Sequence, residues 1–463
     1  MQTKTEKIIV AHITVVSFIM TMFCIKDGQS WGDDFALYIE QTKALTQGNI
    51  NQLYLQNKFS MDNSVIDIGP YLYPFGFSVL LLPIYTIVGL NLEAMQLFGA
   101  LFFIATIPFI YLLFKPLLKS NFSVFFLTAF VAFHFEYVIF ISNILSDLPF
   151  TFFCFFSLWL MQKETTFTRQ FILGITVFYC YFIKDAGIVL LPALFIFQIQ
   201  SPSNLSHQKK WLFRLVPYLV FIMGYFVMAI ILPYGNENQY KILIEHVSSG
   251  GFPNNVNYYF ELISHFIFFS QLPTWTSIIV IVLIIYGILK SIKSTPQLVV
   301  FCFALFMLLL AWPGLGGIRY LFPILPMIVF FILMAIESLF SRFKVPVKFY
   351  SIGLLLVLFI TTTTNLTKIY NFSQQPINEA FTKELKSMYQ FIKSSVNENE
   401  VVVFYKPRAL RLFTQRNSIY LDFETFTKSN FSFMLMEKEE LHEIKTPLIP
   451  VFESGLYVLV KKP

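Results

Sequence analysis

Residues 8–38 read IIVAHITVVSFIMTMFCIKDGQSWGDDFALY, and the order of their parts decides the fold. Positions 8–25 form an uncharged run of 18 residues. That is close to the roughly 20 apolar residues a helix needs to cross a bilayer. Asp33 and Asp34 follow within a few residues, so two adjacent carboxylates sit at or just above a membrane surface. From Phe35, the pattern FALYIEQTKAL sets Phe35, Leu37, Tyr38, Ile39, Thr42 and Leu45 toward one side of a helix lying in the interface. The loop then runs to about Pro70, too long for a simple link between two membrane helices. A long loop with an acidic head, set on a membrane core, points to a site.

The composition agrees. Of 463 residues, 56% are hydrophobic, 18% aromatic and only 13% charged, against about 25% charged in soluble domains. Repeated apolar runs therefore predict a polytopic helical membrane protein, because only helices or closed barrels satisfy backbone groups in lipid. The runs are too long and continuous for barrel strands. The formal charge of +6 comes mostly from Lys and Arg in loops and carries little evidence for nucleic-acid binding. Cys24, Cys154, Cys180 and Cys302 all fall in apolar runs without CxxC or His-paired spacing, so they read as free core thiols. The first run lacks a small-residue cleavage site, and the acidic loop behind it argues for retention rather than removal as a signal peptide.

Further apolar runs cover about 71–90, 93–114, 122–141, 147–161, 170–183, 187–199, 211–232, 275–290, 297–311, 320–340 and 347–361. Six basic clusters orient them: Lys4 and Lys7; Lys115 and Lys119; Lys163 and Arg169; Lys209 and Lys210; Lys290 and Lys293; and Arg342, Lys344 and Lys348. Placing all six on the cytoplasmic side puts the 26–73 loop, Ser142–Asp147, Lys184–Asp185, the 233–274 loop, Gly314–Arg319 and the C-terminal hundred residues outside. Segment 71–90 is then the odd one out: it is re-entrant or half-inserted, or the charge rule fails locally. The expectation is an all-α membrane core of about 11–13 crossings over residues 1–364, with 26–73 as its outer loop. Residues 365–463 read as a small outer α/β domain. Within it, 376–397 reads as an amphipathic helix, VVVFY (401–405), SIYL (418–421) and LYVLV (456–460) as strands, and PRALRLFT as a short helix.

Five places carry candidate chemistry. Asp33–Asp34 supplies a carboxylate that accepts a proton from an acceptor hydroxyl, or else caps a helix with its side chain. An unperturbed aspartate, with pKa about 3.9, is a weak base toward a hydroxyl. Proton transfer would then be late and tied to a good leaving group such as phosphate. Ser146-Asp147-Leu148-Pro149 is either a helix start or a second carboxylate facing the same pocket. Lys184-Asp185 splits a long apolar run; a charge at that depth costs about 2.5–3.5 kcal/mol on insertion scales and is expected to be paired or functional. Lys184 then either closes a self-neutralised turn or contacts a phosphate. In Trp312-Pro313-Gly314-Leu315-Gly316-Gly317-Ile318-Arg319-Tyr320, the glycines permit close backbone approach and Arg319 offers a planar fork for phosphate oxygens, unless it simply snorkels to the interface. Tyr73-Pro74-Phe75-Gly76 suits an interface boundary as much as a site rim. The six histidines show no ligand spacing, and the N-x-S/T triplets at Asn121, Asn204, Asn365, Asn371 and Asn430 are frequent by chance.

In order, GDDFALY, YPFGFSVLLLP, SDLPF, KDAGIVLLPAL and GIRYLFPILP resemble the C-type superfamily of membrane glycosyltransferases. More narrowly, the set resembles the bacterial branch containing dolichyl-phosphate-mannose–protein mannosyltransferases and aminoarabinose transferases. The resemblance covers nearly the whole chain and rests on the order of the motifs. It implies a catalytic carboxylate in the first outer loop, a polyprenyl-phosphate sugar donor and transfer with inversion. The usual spacing, with tyrosine four residues after the aspartate, counts back from Tyr38 to Asp34; Phe35 stands where relatives carry glutamate, and Asp33 is extra. The resemblance implies Arg319 and Lys184 as donor-phosphate contacts and Asp147, Tyr38, Tyr320 and Tyr73 as pocket residues.

The expected function is therefore sugar transfer from a polyprenyl-phosphate donor to a glycan, lipid or protein acceptor. It would take place on the outer face of the plasma membrane if the source is a bacterium. A flippase or transporter of lipid-linked sugars is the competing class; it predicts internal repeats and charges near the midplane, whereas the polar clusters here gather at the outer ends. A polysaccharide polymerase or ligase would share donor and location and differ in acceptor. Adjacent aspartates also invite a divalent metal, although two carboxylates alone are a weak metal signal.

Overall fold

The computed structural model describes residues 3–29, 32–66, 69–162, 166–200, 207–232, 239–268, 274–376, 381–442 and 447–463. Trp31 and the start of the expected 376–397 helix lie at least partly outside these residues. The helical core opens with α1 (Lys4–Met22), α2 (Asp34–Gln47), α3 (Ile50–Asp62), α4 (Gly76–Val88), α5 (Leu92–Phe114), α6 (Asn121–Ala132) and α7 (Phe135–Phe140). It continues with α8 (Asp147–Met161), α9 (Phe167–Ile183), α10 (Leu190–Gln200), α11 (His207–Ile231), α12 (Gln239–Ser248) and α13 (Gly251–Phe268). It closes with α14 (Thr274–Ser291), α15 (Pro296–Ala311), α16 (Leu325–Arg342) and α17 (Val347–Gln374). Six described stretches are long and apolar enough to cross a membrane: Lys4–Met22, Leu92–Phe114, Asn121–Phe140, Phe213–Ile231, Leu325–Arg342 and Val347–Gln374. Six further apolar helices are shorter. The expected polytopic helical architecture is what the chain adopts.

Local sequence explains where these helices start and how closely they pack. Thr3 and Glu6 close a reciprocal capping box on α1, and Asn91 and Thr166 accept N–H bonds at the starts of α5 and α9. The odd segment 71–90 contains only the 13 residues of α4, with Pro83 inside it. At 1.5 Å per residue that is about 20 Å, well short of a hydrocarbon core of about 30 Å. Gly76 lets α4 seat against α9: a Cβ there would come within 2.5 Å of the Phe182 main chain. Such small-residue contacts are how helices approach without a hydrophobic driving force between them. Polar side chains tie buried helix ends. Glu337 of α16 accepts from the N–H groups of Lys119 and Ser120 at 3.1 and 3.2 Å. His134 meets the Phe266 carbonyl at 2.8 Å and reads as a core histidine.

The C-terminal part adds α18 (Lys383–Ser395), β1 (Val401–Val403), α19 (Pro407–Thr414), β2 (Asn417–Ile419), α20 (Phe423–Lys428), β3 (Phe433–Glu437), α21 (Lys438–His442), β4 (Ile449–Ser454) and β5 (Tyr457–Lys461). The sheet order is β2-β1-β3-β5-β4, with β1 parallel to β2 and β3 and the remaining pairs antiparallel. The three expected strands and the PRALRLFT helix are all present; β3 and β4 were not foreseen. FMLME and IPVFES lack clean alternation because β3 is buried along most of its length, while β4 is a bulged strand at the sheet edge.

The first loop is stitched to this sheet. The Ser60 hydroxyl donates to the Ser418 carbonyl at 2.6 Å, Val65 N–H to the Tyr420 carbonyl at 3.0 Å, and Tyr420 N–H to the Ser64 hydroxyl at 2.9 Å. Helix α2 departs from expectation. Instead of lying on a surface with one apolar side, it is buried from Phe35 to Thr42 and packs against α4 and α19.

Candidate functional site

The two adjacent carboxylates of the first loop have different partners. Asp33 precedes α2 but makes no side-chain cap to it. Its carboxylate accepts the main-chain N–H groups of Arg408 and Ala409, at 2.8 and 2.7 Å, and so caps α19 of the C-terminal domain. Those are the second and third residues of α19, where a local N-cap side chain would bond. The residue in the N-cap position, Lys406, provides no such bond. Burial pushes the Asp33 carboxyl up to about 6, with Asp34 adding to it, against the pull of Arg408 and the two N–H donors.

Asp34 is the first residue of α2, and its side chain keeps 29% exposure. One carboxylate oxygen lies 3.5 Å from Arg319 Nη2 and the other 3.8 Å from Arg408 Nη1. These distances exceed the strong range for charge-assisted bonds, so two cations flank the carboxylate without saturating it. The Tyr73 hydroxyl also meets Asp34 and Arg408, and burial followed by the Asp34 charge holds that phenol well above its ordinary range.

Asp147 opens α8 with its carboxylate buried. Lys184 Nζ reaches it from the break between α9 and a 3-10 turn at Asp185–Val189, at 2.5 Å, and Arg319 Nη1 lies 3.9 Å from its other oxygen. Lys184 thus bridges to a different helix, and its ammonium stands 4.9 Å over the Tyr320 ring. Arg319 is largely buried and does not snorkel: its Nε donates to the Gly316 carbonyl at 2.9 Å. Gly317, at φ +74°, donates its N–H to the Tyr258 hydroxyl of α13 at 3.0 Å, and a Cβ on Gly316 would strike the Tyr320 ring. The glycine run therefore curls the backbone beneath the guanidinium.

Tyr38 and Tyr73 complete the floor, stacked with centroids 4.7 Å apart. The Tyr38 hydroxyl meets Ser146 Oγ at 3.0 Å and so couples α2 to the start of α8. All eight residues singled out from the sequence fall in or beside one cluster. Arg408 and Tyr258 were not singled out. Helix α19 starts at Pro407 after a lysine, which is not a capping residue, and that uncapped start is the sequence feature that leaves room for an acidic group from elsewhere.

Solved structures share this architecture. An oligosaccharyltransferase of Archaeoglobus fulgidus, crystallised with Zn and sulfate, matches at TM-score 0.59 and 11% identity over 92% of this chain and 68% of its own. ArnT from Cupriavidus metallidurans bound to undecaprenyl phosphate matches at TM-score 0.56 and 11% identity over 98% and 97% of the two chains. The fold is that of the C-type membrane glycosyltransferases. No protein-family model and no curated protein matches the chain by sequence. Among the described residues no three His, Cys, Asp or Glu gather as ligands. Asp33 is committed to main-chain donors, while Asp34 and Asp147 each face cationic side chains.

Proposed function

We propose that the chain is an inverting glycosyltransferase. It takes a sugar from a polyprenyl-phosphate donor and passes it to a hydroxyl acceptor on the outer face of the membrane. The observation that carries this reading is Asp34: a partly exposed carboxylate flanked by Arg319 and Arg408, beside a buried Asp147–Lys184 pair, in a fold shared with an undecaprenyl-phosphate-bound ArnT.

In this reading Asp34 takes the acceptor hydroxyl proton as the acceptor oxygen attacks the anomeric carbon from the face opposite the phosphate. The bond from the anomeric carbon to the phosphate oxygen breaks, and its electron pair leaves with polyprenyl phosphate. Inversion follows from the single displacement. Arg319 and Lys184 neutralise the leaving phosphate, the guanidinium offering a fork and the ammonium a point charge. Asp147 keeps both cations aimed while the donor is absent, and Tyr38, Tyr73 and Tyr320 form the aromatic surface against which the sugar rests. Asp33 has no part in proton transfer, because its oxygens hold α19.

Purified protein incubated with radiolabelled polyprenyl-phosphate hexoses and a broad acceptor mixture tests this through polyprenyl-phosphate release. Asp34→Asn is expected to lose about 10²–10⁴-fold in turnover, the usual worth of a general base, while still binding donor. Wild-type turnover in Asp34→Asn would remove the base assignment. Donor binding without turnover in the wild type would favour the transporter reading.

A further inference from the structure

Three arginines of the C-terminal domain, Arg408, Arg411 and Arg416, are buried, and they are treated differently. Arg411 donates to both oxygens of Glu40, at 2.7 and 2.5 Å, and also reaches Asn57 and Ser60. Arg416 donates to the carbonyls of Val396 and Lys393, both at 2.7 Å, and to that of Thr414. Each of these guanidinium groups uses all of its nitrogens, as a buried structural arginine should. Arg408 is the most buried of the three, at 2% exposure, yet its Nη1 lacks a hydrogen-bond partner. Nη2 donates to the Pro70 carbonyl at 2.7 Å. The guanidinium lies 5.7 Å from the Tyr73 ring centre and so close to Gly69 that a Cβ there would stand 3.2 Å from it. The Tyr73 hydroxyl stands beside the guanidinium, and the open nitrogen lies 3.8 Å from Asp34 Oδ1.

We propose that Arg408 is a positioning residue of the transfer site, supplied by the C-terminal domain to hold the Asp34 carboxylate in register with Arg319. The inference rests on the reading of Asp34 as the base. A terminal carboxylate torsion is soft and roughly two-fold, so one cation at one oxygen leaves the plane of the group free to turn. Arg319 on one oxygen and Arg408 on the other define that plane. Arg319 makes only a long hydrogen bond, at 3.5 Å, and Arg408 stands at 3.8 Å, so lone pairs remain to accept the acceptor's proton. The open Nη1 is the donor that can tighten onto Oδ1 as the acceptor settles. Asp33 fixes the reach of this arm, since its carboxylate grips the main chain of Arg408 itself. The acidic pair is then a single device: one carboxylate anchors the arginine, and the arginine aims the other.

Arg408→Gln and Arg408→Lys both keep the main-chain N–H that Asp33 accepts, so docking survives while the guanidinium is lost. Turnover at saturating donor, donor affinity and detergent melting temperature are measured for both, with Arg416→Gln and Asp34→Asn alongside. The expected result is a fall in kcat on the order of 10²-fold in Arg408→Gln, the cost of misplacing a catalytic group by about 1 Å. Donor affinity and melting temperature stay near wild type, and Arg408→Lys recovers part of the loss. Arg416→Gln shows the reverse, a lower melting temperature without a selective loss of kcat. Wild-type kcat in Arg408→Gln, with Asp34→Asn inactive, overturns this inference and spares the base. A loss confined to donor affinity makes Arg408 a donor ligand and also overturns it. An active Asp34→Asn removes the base, and this role with it.

Discussion

Asp33 and Asp34 are neighbours in the chain whose carboxylates serve different parts of the molecule. Asp33 turns to main-chain donors of α19 and Asp34 to the guanidinium groups of Arg319 and Arg408. The consequence for Asp33 is measurable. Its carboxyl titrates near 6 in the folded chain against an ordinary 3.8, so folding favours the protonated form. A raised carboxyl contributes stability that is fully present below about 3.8 and lost as pH rises through about 6. Melting temperature in detergent should therefore carry a component that falls between pH 4 and 6, and Asp33→Asn should flatten that component. At pH 7, Asp33→Ala should cost about 0.5–2 kcal/mol, the usual worth of an N-cap. A slope unchanged by Asp33→Asn would show that another group titrates in that window.

Helix α2 is the element through which the two parts of the protein meet. Its first residue carries the candidate base, and one turn and a half later Glu40 is locked to Arg411 of α19, with both side chains buried. Removing one partner of a buried pair leaves the other charge uncompensated and costs about 3–5 kcal/mol. Glu40→Ala should therefore destabilise the protein by about that much, seen as a lower denaturant midpoint. Glu40→Ala paired with Arg411→Met should recover most of the loss. Little of this was legible in the sequence. FALYIEQTKAL reads correctly as a helix, yet periodicity cannot say that the helix is enclosed on both sides. Glu40 and Gln41, polar and apparently solvated in sequence, are buried because partners more than 30 residues away reach them. The membrane helices were far more legible, since about twenty apolar residues have few other fates. The clustering of Asp34, Asp147, Lys184 and Arg319 was legible only through the order of motifs. Arg408 was hidden because an arginine in a short amphipathic helix looks like a solvated one.

At the scale of the whole chain, the polar site, the first loop and the C-terminal domain are joined by direct contacts, and the basic clusters lie elsewhere along the chain. The positive-inside rule, applied to those clusters, predicts an extracytoplasmic site. The protein's own chemistry offers a clean test of that orientation. Cys24, Cys154 and Cys180 are buried and Cys302 is only partly accessible, so a membrane-impermeant thiol reagent should find little background. Leu456, in the hairpin between β4 and β5, is 65% exposed, and Lys293, after α14, is exposed as well. Leu456→Cys should label in intact cells, and Lys293→Cys only after permeabilisation. The opposite pattern would turn the molecule over and place the transfer site in the cytoplasm. A donor carried on the outer leaflet could not then reach Arg319 and Lys184, and the lipid-phosphate sugar would have to be used on the side where it is made.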